Sequence, residues 1–108
     1  MISSHILDTH LGQPARHILV KLYNHHNDLL AKAYTNNDGR ILASDFVLDD
    51  LEAGNYSLEF LIQPYYDKLQ LETFYPKVII HFFIKNPQDH YHIPLLISPF
   101  SYTSYKGS

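Results

Sequence analysis

Cysteine is absent from all 108 residues. That single absence removes a disulfide framework, a thiolate nucleophile and a zinc site built on thiolates. No apolar run reaches the roughly 18 residues that a membrane-spanning helix needs, so no membrane partner is expected. Positive charge is scarce. Eight Lys and Arg against eleven Asp and Glu give a formal net charge of −3 with His neutral. Without a basic stripe, nucleic acid is not an expected partner either. Glycine-rich phosphate loops, a GxSxG elbow and paired catalytic carboxylates are also missing. The opening MISSHILDTH lacks the charged and apolar regions of a secretory leader, and the chain does not close on Ser-Lys-Leu. The expected compartment is therefore the cytoplasm, or the periplasm for a mature form whose leader was removed.

What is present is strand. The length fits one domain over residues 1–108, large enough for a single hydrophobic core. HILVKLYN alternates and puts Ile18, Val20 and Leu22 on one face. A turn at His26-Asn27-Asp28 leads into LLAKAYT, and NNDGR supplies an Asn/Asp-Gly turn of the kind that closes hairpins. DFVLDD reads as a short strand, and GNYSLEFLIQ groups Tyr56, Leu58, Phe60 and Ile62. KVIIHFFIKN is apolar on both faces, and HYHIPLLIS is a last long strand before SYTSY. PYYDKLQLETF breaks the alternation and begins with Pro64, which together with Tyr65 and Leu69 suggests one short helix. Seven or eight short strands separated by polar turns predict an antiparallel β-sandwich or barrel.

Strand parity then singles out a surface. If Tyr91, Ile93, Leu95 and Ile97 face the core, His90, His92, Pro94, Leu96 and Ser98 face outward. His81 and Phe83 lie opposite Val78, Ile80, Phe82 and Ile84 in the same way. Outer faces this apolar predict an oligomer that covers them.

Eight histidines make the charge sensitive to pH near 6. His90 and His92, two apart on a strand, share a face. They fit three readings: two of the ligands a zinc ion would need, rings packed at an interface, or a general base in a cleft. His5 follows two serines near the N-terminus, and Arg40 is fixed by the turn before it. Asp8 and Asp38 suit structural roles in turns. His10, His17, His25 and His26 lie in or near turns and are most simply solvent-facing.

Three segments carry a resemblance. HILDTHLGQPARHILV (5–20) is similar to the N-terminal signature of the transthyretin-like family, YHIPLLISPFSYT (91–103) to its C-terminal signature, and TNNDGR to the turn between them. The resemblance covers essentially the whole chain. It implies an all-β transthyretin-like sandwich of two four-stranded sheets with one short helix, assembled as a homotetramer with sites where dimers meet.

The family has a hormone-carrier branch and a branch that hydrolyses 5-hydroxyisourate during urate degradation. His5, Arg40, His92 and Tyr105-Lys106-Gly107-Ser108 match the hydrolase branch. The resemblance therefore implies His5, His92 and Arg40 as catalytic residues. It also implies Tyr105, Lys106, Gly107 and Ser108, with Ser98, as substrate contacts, and no cofactor or metal. Lys106 departs from the branch, which has Arg there; an ammonium keeps the charge but loses the planar two-pronged donor. The alternative reading is a small-molecule carrier without hydrolase activity.

Overall fold

A computed structural model describes residues 1–108. Nine strands form two sheets. In chain order they are β1 (Ile2–Asp8), β2 (Gln13–Pro14), β3 (Leu19–Asn24), β4 (Leu29–Tyr34), β5 (Arg40–Ile41), β6 (Gly54–Leu61), β7 (Val78–Ile84), β8 (Tyr91–Ser98) and β9 (Ser101–Ser104). One helix, α1 (Gln63–Lys68), follows β6. The first sheet runs β2-β1-β8-β9 with β5 also paired to β1, and the second runs β4-β3-β6-β7. The two-sheet sandwich with one short helix is therefore present, with two refinements: the first sheet has five strands rather than four, and one of its pairs is parallel. β1 and β8 pair in parallel over seven residues, from Ile2 opposite Tyr91 to Asp8 opposite Ile97.

The alternating strands behave as their period requires. Ile18, Val20 and Leu22 are buried, as are Tyr56, Leu58, Phe60 and Ile62, and so are Ile93, Leu95 and Ile97. They meet between the sheets in one cluster with Ile2, Ile6, Ile41, Val78 and Ile84. On the opposite face of β7, Ile79, His81 and Phe83 are exposed. Pro64 lies in the first turn of α1, directly after its first residue Gln63; the helix's buried residue is Tyr66, while Leu69 lies partly exposed just past its end.

Two local expectations are corrected. DFVLDD forms no strand. Asp45 closes a 3₁₀ turn (Ala43–Asp45) by accepting from the Leu42 N–H at 2.7 Å, and only Phe46 of that segment is buried. A short side chain bonded to its own backbone competes with sheet pairing. NNDGR is a turn but closes no hairpin, because β4 and β5 lie in different sheets. The cause is Thr35, buried just before the turn. Its hydroxyl donates to the Ala15 carbonyl at 2.8 Å and accepts from the Ile18 N–H at 2.9 Å. Asn36 then binds the Asp38 and Arg40 N–H groups through its side-chain oxygen.

Gly39 makes this crossing tight. Its φ is +72°, and a Cβ there would lie 2.5 Å from the Ile6 carbonyl oxygen. The Ile6 N–H donates to the Gly39 carbonyl at 2.7 Å, so the turn rests backbone to backbone on β1. Glycine fits both requirements because it has no Cβ and adopts positive φ without strain.

Asp8 ends β1 as a buried carboxylate. It accepts from the His10 and Leu11 N–H groups at 2.9 Å and from the Tyr65 hydroxyl at 2.6 Å. A buried charge held by three donors is well satisfied. Burial and the Asp8 carboxylate push the Tyr65 phenol up to about 12, so it stays a donor and ties α1 to β1.

Candidate active site on the outer face of the first sheet

Register brings the singled-out residues together. In β1, Ser3 and His5 share the outward face. Ser3 stands opposite His92 and His5 opposite Pro94 on one side, with Arg40 of β5 opposite His5 on the other. Neighbouring strands lie about 4.8 Å apart, so His5, Arg40 and His92 form one compact patch. Residues 87 positions apart in sequence meet because β1 and β8 are parallel neighbours.

Each imidazole is oriented. The His5 ring donates from Nε2 to the Asp38 carbonyl oxygen at 2.9 Å. A carbonyl only accepts, so the proton of the neutral ring sits on Nε2 and Nδ1 carries the lone pair. His92 Nδ1 lies 2.8 Å from Ser3 Oγ, which leaves Nε2 for chemistry. Burial pushes His5 below the usual imidazole value of 6.5. The Arg40 charge adds to this, while the bond to Asp38 works the other way. His92 is lowered by burial first, then by Arg40, His5 and His90. Both shifts favour the neutral ring, the form a general base requires.

The C-terminal residues are anchored at this patch. β9 pairs with β8 from Leu95 opposite Ser104 to Ser98 opposite Ser101. The Ser104 hydroxyl donates to the Pro94 carbonyl at 2.7 Å and the Gly107 N–H to the His92 carbonyl at 2.8 Å. Tyr102 stacks edge-on against Tyr75 with centroids 5.0 Å apart, and the Thr73 hydroxyl donates to the Pro99 carbonyl at 2.9 Å. A Cβ on Gly107 would lie 2.6 Å from His92 Cδ2, so the chain crosses directly over the ring edge. Tyr105 and Lys106 border a cavity of about 320 Å³ that reaches from His92 to Phe82 and Phe83 of β7.

Ser98 is not brought to the patch. It is six residues along β8 from His92, roughly 20 Å at strand rise. Its hydroxyl is bound to Ser101 at 2.8 Å in the β8–β9 turn. Sequence reasoning missed Ser3 and the Asp38 carbonyl altogether. Ser3 carried one signal, an outward parity shared with His5 in the ISSHILD stretch. The carbonyl carried none, since backbone groups have no sequence identity. Nowhere in the fold do three His, Asp or Glu side chains gather as a group able to hold a metal ion.

The fold is a transthyretin-like β-sandwich, and two imidazoles beside a guanidinium on one outer face suit acid–base chemistry and the binding of a developing negative charge. The profile of the HIUase/Transthyretin family matches residues 2–107, and the chain belongs to that family. Among its relatives, a probable 5-hydroxyisourate hydrolase of Caenorhabditis elegans is 38% identical over 112 residues, 99% of this chain and 81% of the relative. The 5-hydroxyisourate hydrolase of Pseudomonas aeruginosa is 37% identical over 99% of this chain and 90% of its own. Of solved structures, that of Klebsiella pneumoniae 5-hydroxyisourate hydrolase superimposes with a TM-score of 0.89 at 34% identity, covering 99% of this chain and 97% of that one. Transthyretin from Sparus aurata superimposes with a TM-score of 0.87 at 27% identity, covering 98% of this chain and 95% of that one.

Proposed function

We propose that this chain hydrolyses 5-hydroxyisourate in urate degradation, opening the ring to 2-oxo-4-hydroxy-4-carboxy-5-ureidoimidazoline without a cofactor. One observation carries the reading: His5, Arg40 and His92 share one face, and the Gly107 N–H is bound to the His92 carbonyl beside them. His92 removes a proton from the attacking water through Nε2. His5 orients that water or protonates the departing ring nitrogen. Arg40, always cationic, binds the acyl oxygen and stabilises the negative charge that develops on it. Tyr105, Lys106, Gly107 and Ser108 hold the purine-derived edge.

The working form is a homotetramer with sites at the dimer–dimer interface. Its support is the exposed apolar surface next to the patch, where Phe83 and Tyr105 are each more than half exposed. A monomer rarely leaves so much aromatic surface in water.

The test is an absorbance time course with 5-hydroxyisourate freshly made by urate oxidase. Decay well above the spontaneous rate, unchanged by EDTA, is the expected result. Decay at the spontaneous rate in both the wild type and Lys106→Arg would overturn the reading and leave the carrier alternative.

A further inference from the structure

Hydrolysis of a ring amide has a proton to dispose of, and this argument rests on the hydrolase reading. Water adds to the carbonyl carbon, the C–N bond breaks, and the nitrogen takes one proton to become a ureido N–H. The other product group is a carboxylic acid, ionised at neutral pH, and a ureido nitrogen is not basic enough to hold its proton. Each turnover therefore sends one proton out of the site.

One line of groups runs from the patch to solvent. His92 Nδ1 lies 2.8 Å from Ser3 Oγ, and Ser3 Oγ lies 2.8 Å from His90 Nε2. In the single chain Ser3 is 7% exposed, whereas His90, one residue ahead of the start of β8, is exposed. A hydroxyl has one proton, so between two neutral rings it donates to one and accepts from the other. That allows two arrangements. In the first, His92 Nδ1–H donates to Ser3, Ser3 donates to His90, and His92 Nε2 bears a lone pair. In the second, both bonds reverse and His92 Nε2 bears a proton. The first makes His92 a base and the second an acid, with no ring rotation between them.

We infer that His90, Ser3 and His92 form a proton relay, in which Ser3 is a positioning residue for His92 and His90 is the solvent-side terminus. A proton from the attacking water passes to His92 Nε2. The Nδ1 proton of His92 moves to Ser3 Oγ, and the Ser3 proton moves to His90 Nε2. His90, already protonated on Nδ1, becomes an imidazolium at the surface and releases a proton to bulk water. Charged and titratable groups face this line at both ends. Arg40 and His5 flank the inner ring, with Lys106, Tyr105 and His81 around the adjoining cavity. Asp89 precedes the outer ring, and the Met1 ammonium donates to the Asp89 carbonyl at 3.0 Å.

Ser3→Ala, Ser3→Thr and His90→Gln are assayed from pH 6 to 8, beside the ring ¹⁵N spectrum of the histidine-labelled protein. Gln reaches the position of Nε2 and keeps a hydrogen bond to Ser3, but it cannot carry a proton. Ser3→Ala and His90→Gln are expected to lower kcat by at least about tenfold with little change in KM, and Ser3→Thr to restore it. The His92 ring signals are expected to move toward a different tautomer balance in Ser3→Ala. Wild-type kcat in His90→Gln overturns the relay, whatever Ser3→Ala does. The spectrum needs no substrate, so an unchanged His92 tautomer in Ser3→Ala overturns the geometry even if the protein proves not to be a hydrolase.

Discussion

Gly107→Ala is a one-methyl test of whether the C-terminal segment is part of the site. The added Cβ would stand 2.6 Å from His92 Cδ2 and 3.1 Å from the His92 carbonyl oxygen. Ordinary contact begins near 3.4 Å, so something must retreat by about 0.8 Å, the difference between 3.4 and 2.6. The His92 ring is held by Ser3, and the segment is held by the Gly107 N–H bond at 2.8 Å. Whichever gives way, the imidazole and the residues beside it separate by most of an ångström. A misplacement of that size costs a catalytic site up to about a hundredfold in rate. The β9 pairing and the core lie elsewhere and stay intact. The expected result is a drop of about 10- to 100-fold in kcat/KM by the 5-hydroxyisourate decay assay, with thermal unfolding essentially unchanged. Wild-type kcat/KM in a folded Gly107→Ala protein would refute the claim that this segment shapes the site.

Four further outcomes follow from the structure. His5→Ala, Arg40→Ala and His92→Ala should each lower kcat/KM by about 100-fold or more in the decay assay, without changing the elution volume on gel filtration. Activity should fall on the acid side with a midpoint below 6.5, because burial and the Arg40 charge disfavour both imidazolium ions; Arg40→Met should move the midpoint of any residual activity up toward 6.5. The same shifts act on folding. Protons bind the unfolded chain more readily, so the stability they reflect is complete above 6.5 and is lost as pH falls from 6.5 through the lowered folded values, measurable by melting at pH 7 and pH 5. Finally, Tyr66 is fully buried and its hydroxyl has no hydrogen-bond partner. Tyr66→Phe should stabilise the protein by about 1 kcal/mol, the scale on which an unsatisfied buried polar group costs stability, and raise Tm by a few degrees in a calorimetric scan; a lower Tm would count against the assignment.

Much of this protein is legible along the chain. Alternation named the inward residues of β3, β6 and β8 correctly, because side-chain direction in a strand is a local property with period two. The same parity put His92 outward, and the signature residues supplied His5 and Arg40. Local reasoning failed at DFVLDD and NNDGR, where Asp45 and Thr35 spend their side chains on nearby backbone and redirect the chain. It also placed Ser98 at the site, although strand rise carries it roughly 20 Å away.

Strand faces, the apolar core and the kinds of chemistry available can be read from residue type and from neighbours within a few positions. Long-range pairing sets the rest: β1 and β8 lie side by side in parallel, Ser3 bridges His90 and His92, and a backbone carbonyl at Asp38 fixes the proton on His5. Those facts depend on which distant segments pair and in what register. A shift of one residue in that register would turn His5 away from His92 while leaving the local alternation of each strand unaltered.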